Sequence, residues 1–250
     1  EFMVEWEKSR LTFCYTGERR MRNLLIIQAR MGSSRLPGKV LHELGGKTVL
    51  ECVIERAAAS KLVDEVVVAT TIEKDNLPLV AMCAAKGIRV FIGSEDDVLD
   101  RFYQAAKLFQ PEHVIRITAD CPLLDTNVLD RVISRHLETG VDYTSNTLHP
   151  TYPDGLDCEI MRYTVLCEAW REARMASDRE HVTQYIIHQD KYRKESVEND
   201  IDYSSERWTV DTAEDYCLLQ KIYEQLGERT RDFHSVIDFL NKNPELKEIN

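Results

Sequence analysis

The stretch Leu24-Leu25-Ile26-Ile27-Gln28-Ala29-Arg30-Met31-Gly32-Ser33-Ser34-Arg35-Leu36-Pro37-Gly38-Lys39 decides the fold. An apolar run ends abruptly in a loop with three cations, two serine hydroxyls and two glycines. A buried strand that delivers its carboxyl end to a polyanion has this form. Small residues let backbone N–H groups approach phosphate oxygens. Arg30 and Arg35 offer planar forks and Lys39 a point charge. The loop lacks the GxxxxGK[ST] pattern of the ATPase phosphate loop and the GxGxxG dinucleotide fingerprint. A solvated basic loop between a strand and a helix is the plain alternative.

Outward from this stretch, strands and helices alternate. Asn23–Ala29 reads as a strand, Lys47–Ser60 as a helix and Asp64–Thr71, with Val66-Val67-Val68, as a strand apolar on both faces. A helix over Asp75–Lys86 stops at Gly87. Ile88–Ile92 is a short strand, and Ser94 is the expected N-cap of a helix over Asp96–Phe109. Strand His113–Thr118 and helix Asp125–Glu138, ending at Gly140, follow. Strands apolar on both faces and separated by helices imply a mostly parallel sheet covered on both sides. Ligands of such sheets bind beyond the carboxyl ends of the strands. The loops after Ala29, Val68 and Thr118 all fall at that edge. After Asp142 the pattern changes. Tyr143–Glu159 reads as a long loop with short strands, Arg162–Ala173 and Asp178–His188 as helices, Trp208-Thr209-Val210 as a short strand, and Thr212–Gln225 and Phe233–Asn241 as helices. Residues 147–200 read as an inserted lobe of the kind that supplies substrate contacts or a dimer surface.

Two carboxylates stand at the ligand edge. Asp120 follows the strand His113–Thr118, and Asp211 follows Trp208-Thr209-Val210. A hard cation such as Mg²⁺ is the natural partner of few carboxylates plus phosphate oxygens. Local alternatives stay open: Asp120 as a cap of the turn before Pro122 or of the next helix, and Asp211 as an N-cap with Glu214 completing a capping box. Arg179 and His181, near a helix start, would suit an acidic group, or they belong to a surface helix with ordinary charge pairs. Asp154, Asp157 and Glu159 offer oxygens to a ligand's hydroxyls, or they form a polar turn around Gly155. Arg101 stands four residues after Asp97, the spacing of an intrahelical pair.

Bulk properties set bounds. The chain of 250 residues fits one large domain, and its net charge of -11 argues against a general nucleic-acid binder. Its seven cysteines are irregularly spaced without a CxxC pair, which excludes the usual zinc patterns and reads as reduced thiols in a cytoplasmic protein. No apolar run approaches a membrane span. Residues 1–21 read as an amino-terminal extension, cloning-derived or disordered, with Glu1-Phe2 before Met3 as a scar and Met21 as an alternative start. Residues 22–250 form the expected catalytic domain.

Gln28–Lys39, Arg116–Pro122 and Asp211-Thr212 resemble the cytidylyltransferases that make CMP-activated acidic sugars, the CMP-Kdo and CMP-acylneuraminate synthetases. Gly93–Arg101, Asp154–Glu159 and Asp178–Thr183 resemble the branch named after spore-coat polysaccharide biosynthesis protein F. The resemblance runs from Met21 to nearly the carboxyl terminus. It implies a Rossmann-like three-layer α/β/α nucleotidyltransferase fold of the GT-A-like kind. It implies an Mg²⁺-dependent enzyme that transfers CMP from CTP to an acidic sugar and releases pyrophosphate in surface-glycan precursor synthesis. By the resemblance Arg30, Ser33, Arg35 and Lys39 hold the triphosphate, Thr118 contacts the pyrimidine, and Asp120 and Asp211 hold Mg²⁺. Gln28, Ala29, Gly32, Thr70 and Arg101 complete the expected nucleotide contacts, and Asp154, Asp157, Glu159, Arg179 and His181 the acceptor side. Cys121-Pro122 departs from the best-studied sugar synthetases and points to a different acceptor. A homodimer is expected. The rivals are a glycosyltransferase, which Asp120-Cys121-Pro122 disfavours for want of a DxD pair, and a non-catalytic nucleotide-binding module.

Overall fold

The structure, a computed structural model, describes residues 21–250. The expectations for residues 1–20, and Cys14 with them, lie outside it. The chain builds a seven-stranded sheet in the order β5-β4-β1-β6-β8-β7-β9. Its strands are β1 (Asn23–Gln28), β4 (Glu65–Thr71), β5 (Arg89–Gly93), β6 (His113–Thr118), β7 (Tyr143–Ser145), β8 (Glu159–Arg162) and β9 (Lys194–Ser196). The four strands β5, β4, β1 and β6 run parallel. Beyond them β8 pairs antiparallel with both β6 and β7, and β7 runs parallel to β9. A small hairpin of β2 (Glu43–Leu44) and β3 (Lys47–Thr48) stands apart and opens into a helix.

Period-two alternation divides the core. Leu25 and Ile27 of β1 pack with Val68, Ile115 and Ile160 under α1 (Val49–Ala58), α2 (Leu77–Ala85) and α4 (Thr126–Thr139). Leu24 and Ile26 face the other way, with Val67, Val114 and Met161, under α3 (Val98–Phe109) and α5 (Tyr163–Glu172). A third cluster packs α8 (Ala213–Leu226) and α9 (Phe233–Lys242) against Leu44, Val49 and Trp208. This is the expected three-layer arrangement. The stretch 147–200 contributes two strands to the same sheet, β8 and β9.

Several boundaries differ from the sequence reading. The N-cap of α3 is Asp97, which accepts the Asp100 amide, whereas Ser94 accepts the Asp97 amide one step earlier. Helix α8 is capped by Thr212 in a box with Asp215, not by Asp211 with Glu214. The stretch Asp178–His188 is not one helix but two short ones, α6 (Ala176–Glu180) and α7 (Gln184–His188). They are separated at Val182, a buried valine with φ of 57°. Trp208–Val210 pairs as no strand; only Arg207 bridges, to Asp154. No helix among the described residues is long and apolar enough to cross a membrane. All six cysteines among those residues are free.

Candidate active site

Gln28 ends β1 between Ala69 of β4 and Thr118 of β6, so the loop that follows leaves the sheet at its carboxyl edge, at its centre. The loop closes on one oxygen: the amides of Ser33 and Gly38 both donate to the Met31 carbonyl, at 3.0 and 3.1 Å. Gly38 holds φ of 69°, and a Cβ there would meet the Met31 methyl at 3.3 Å, so glycine suits the closure on both counts. The Met31 amide is held by Asn76, whose Oδ1 accepts it at 2.8 Å. Asn76 is itself buried and donates through Nδ2 to Thr71 Oγ1 at 2.7 Å. The loop is therefore anchored to β4 by a side chain that the sequence reading did not single out.

Gln28, Arg30, Ser33, Arg35, Lys39, Thr118, Asp120 and Asp211 line one cavity of about 280 Å³. Arg30 and Arg35 reach largely into solvent, at 51% and 61% side-chain exposure, with Glu95 and Asp211 as their acidic neighbours at 3.9 and 3.0 Å. Lys39 behaves differently. It is buried, and its Nζ donates to Asp120 Oδ2 at 2.6 Å and to Asp211 Oδ1 at 2.7 Å. Burial alone would lower its pKa, but the two carboxylates outweigh burial and raise it. Burial would likewise raise the pKa of Asp211, and the bonds from Lys39 and Arg207 lower it instead.

Both carboxylates are positioned by contacts made elsewhere in the chain. The Asp120 carbonyl accepts the Val210 amide at 2.8 Å, which draws the Asp211 segment alongside. Tyr223 Oη donates to the Pro122 carbonyl at 2.7 Å, and Arg56 to the Leu124 carbonyl at 3.0 Å, which fixes the turn after Asp120. The helix beyond that turn is capped by Asp125, so the capping alternative for Asp120 falls on a different residue. Arg207 donates to Asp211 Oδ2 at 2.9 Å and to both oxygens of Asp215 at 3.3 Å. Asp215 is pulled down to about 2: burial would raise it, and the bond from Arg207 and those from Asn250, Thr212 and Asp211 prevail. The spacing of Arg207 four residues before Asp211 was visible in the sequence, and the reading passed over it.

The donor set suits a hard divalent cation. Two carboxylates from separate elements converge on one positive charge, the Lys39 ammonium. Among the described residues no group of three or more His, Cys, Asp or Glu side chains could hold a metal. Substrate oxygens and water would have to complete the coordination, as is usual for Mg²⁺.

The other expected nucleotide residues separate. Thr118 lines the cavity, with its hydroxyl 3.2 Å from Cys121 Sγ. Thr70 is fully buried near the end of β4, and its hydroxyl has no partner. Arg101 is 1% exposed and does not pair with Asp97; its guanidinium donates to the Ser94 carbonyl at 2.5 Å, while its Nε has no partner. Burial and the charge of Arg30 push Arg101 down to about 10.

The expected acceptor residues divide as well. The chain at Asp154-Gly155 runs against Trp208-Thr209, where a Cβ on Gly155 would meet the Trp208 carbonyl carbon at 2.9 Å. This brings Asp154 within 3.1 Å of Arg207. Burial, with Asp154 and Glu159 nearby, pushes Asp157 up to about 7, and Asp120 adds to the effect. Asp154 shares Arg207 with Asp211, while neither Asp154 nor Asp157 lines the cavity. Glu159 does not offer itself to a sugar. It is 5% exposed and accepts from Arg116, from Tyr143 Oη at 2.5 Å and from Thr183 Oγ1 at 2.8 Å. Arg179 is also occupied inside the fold, by Asp97 at 2.5 and 2.9 Å and by the Trp170 carbonyl at 2.8 Å. His181 is exposed beside Val182.

The sequence pattern of the family described as cytidylyltransferase matches residues 24–247. The spore coat polysaccharide biosynthesis protein SpsF of Bacillus subtilis is 38% identical over 231 residues, 89% of this chain and 95% of that protein. A 3-deoxy-manno-octulosonate cytidylyltransferase of Anaeromyxobacter dehalogenans is 37% identical over 111 residues, 44% of this chain and 45% of that one. The structure of a cytidylyltransferase from Leptospira borgpetersenii superposes with a TM-score of 0.86 at 32% identity, covering 90% of this chain and 96% of that one. Fold, loop and matched sequence lead to one conclusion: this chain belongs to the cytidylyltransferase family.

Proposed function

We propose that the protein transfers CMP from CTP to a hydroxyl of an acidic sugar and releases pyrophosphate, in the synthesis of a surface-polysaccharide precursor. The observation that carries this reading is the meeting of the cationic loop with Asp120 and Asp211 in one cavity. The relatives named for spore-coat polysaccharide and for 3-deoxy-manno-octulosonate support the acceptor class.

The acceptor oxygen attacks the α-phosphorus of CTP, the bond to the β-phosphate oxygen breaks, and the acceptor proton passes to water. Negative charge spreads over the phosphoryl oxygens and the departing pyrophosphate, so positioning and electrostatics supply most of the rate. Loop amides, the Ser33 hydroxyl, Arg30 and Arg35 bind the β- and γ-phosphates, and Lys39 neutralises the leaving group. Thr118 borders the base. Asp120 and Asp211 would hold Mg²⁺, which supplies charge neutralisation at the phosphates when bound. Asp154, joined to Asp211 through Arg207, and Asp157 would meet the acceptor.

Incubation with Mg²⁺, each nucleoside triphosphate and a panel of acidic sugars tests the reading through pyrophosphate release. Release that requires both CTP and an acceptor, and falls about a hundredfold or more in Asp120→Asn, supports it; that is the scale of losing one preorganised electrostatic contact. Hydrolysis of a nucleotide sugar without such release sinks it.

A further inference from the structure

We propose that Lys39 is a built-in counter-cation that holds Asp120 and Asp211 together and leaves that place to the metal ion when the nucleotide binds. The inference rests on the CTP–metal reading above.

Lys39 Nζ lies 2.6 Å from one carboxylate and 2.7 Å from the other, so a divalent ion cannot share the space between them. The same reading asks Lys39 to meet phosphate and the aspartates to meet metal. Both demands are satisfied only if the ammonium moves. Lysine is suited to this because its charge is compact and its four-carbon stem has several rotatable bonds. The side chain already borders the cavity that the triphosphate would enter, beside Ser33 and Arg35.

The two aspartates differ in what remains after the move. Asp211 keeps Arg207 at 2.9 Å even when Arg35, now at 3.0 Å, turns to the phosphates. Asp120 has Lys39 as its one cationic partner among the described residues. Departure of the ammonium therefore uncovers Asp120 most fully, and a facing carboxylate without a counter-charge is costly at partial burial. Metal replaces that charge. Nucleotide and metal consequently favour each other's binding, and the coupling is reciprocal. Metal alone meets a site already filled.

Electron paramagnetic resonance of Mn²⁺, with free and protein-bound ion resolved, provides the test. Wild type, Lys39→Met and Lys39→Gln are titrated first without nucleotide and then with CTP. Without nucleotide, the two variants should bind Mn²⁺ roughly tenfold or more tightly than wild type, because a ligand of a minor state loses affinity in proportion to that state's population. Variants no tighter than wild type without nucleotide, while CTP still brings Mn²⁺ to the wild-type protein, overturn the inference and leave the CTP–metal reading standing. Wild type that binds no Mn²⁺ even with CTP overturns both. Lys39→Gln is the second variant should Lys39→Met fail to fold, since its amide can still donate to a carboxylate.

Discussion

Asn76 and Met31 are joined by one hydrogen bond of 2.8 Å between a buried side-chain oxygen and a backbone amide of the cationic loop after β1. Through its Nδ2 the same amide group reaches Thr71 at the end of β4. The loop is thus pinned to the sheet independently of any ligand. Asn76→Ala leaves a donor and an acceptor without partners, a loss of about 1–3 kcal/mol of stability. Because the loop then samples other conformations, the KM for CTP should rise more than kcat falls. Steady-state kinetics at a temperature where the variant is folded checks this. Unchanged kinetics in a destabilised protein would reduce Asn76 to a packing residue.

Arg207 ties three acids, Asp154, Asp211 and Asp215. The Asp215 side chain is 3% exposed, so loss of its arginine leaves a buried carboxylate short of compensation. Arg207→Ala should destabilise the protein by roughly 1–3 kcal/mol, less than a fully buried pair because Arg207 is itself partly solvated. Arg207→Lys should recover little, since one ammonium cannot serve three acids as a fork does. Urea melts of the two variants decide the point. Full recovery in the lysine variant would show that charge alone matters.

Glu159 tests the acceptor side. Its carboxylate is occupied by Arg116, Tyr143 and Thr183. Glu159→Gln removes the charge opposite the Arg116 guanidinium and should lower stability by about 3 kcal/mol. Where the variant remains folded, the KM for the acceptor should stay within about twofold of wild type, because uniform binding is unaffected. A tenfold rise in that KM with little change in melting temperature would return Glu159 to the acceptor.

The sheet was legible where burial on both faces leaves a continuous apolar run, as in Leu24–Ile27 and Val66–Val68. The site was legible in residue type and in its place at the strand ends. Pairing was not. Lys39 lies 81 residues from Asp120 and 172 from Asp211, and no local pattern reports that the ammonium sits between them. Caps slipped where consecutive polar residues compete. Ser94 and Asp97 each accept an amide, and only backbone geometry decides which begins the helix. The break at Val182 carries no glycine or proline signal. Its left-handed backbone is sustained by tertiary contacts, with Thr183 bonded to Glu159 and Val182 fully buried. Glu159 and Arg179 looked like ligands because a charged side chain has the same sequence signature whether it meets a substrate or an internal partner.

His136 links stability to pH. It is buried on α4, with Nδ1 2.9 Å from Thr144 Oγ1 and Nε2 without a partner. Burial, assisted by His113 and Arg162 and opposed by Asp142, pushes it down to about 3. In the unfolded chain the imidazole titrates near 6.5. Between these values the unfolded state binds a proton that the folded state refuses, so stability rises with pH through that window and falls on acidification. The expected loss is about 2 kcal/mol between roughly pH 6.5 and pH 4.5. His113, also lowered by burial, acts in the same direction and leaves a residual slope. His136→Gln keeps a polar partner for Thr144 but cannot titrate. Its urea-derived stability should therefore vary less with pH than that of wild type. Equal slopes in the two proteins would mean that His136 accepts its proton in the folded state, with Nε2 reaching a partner when charged.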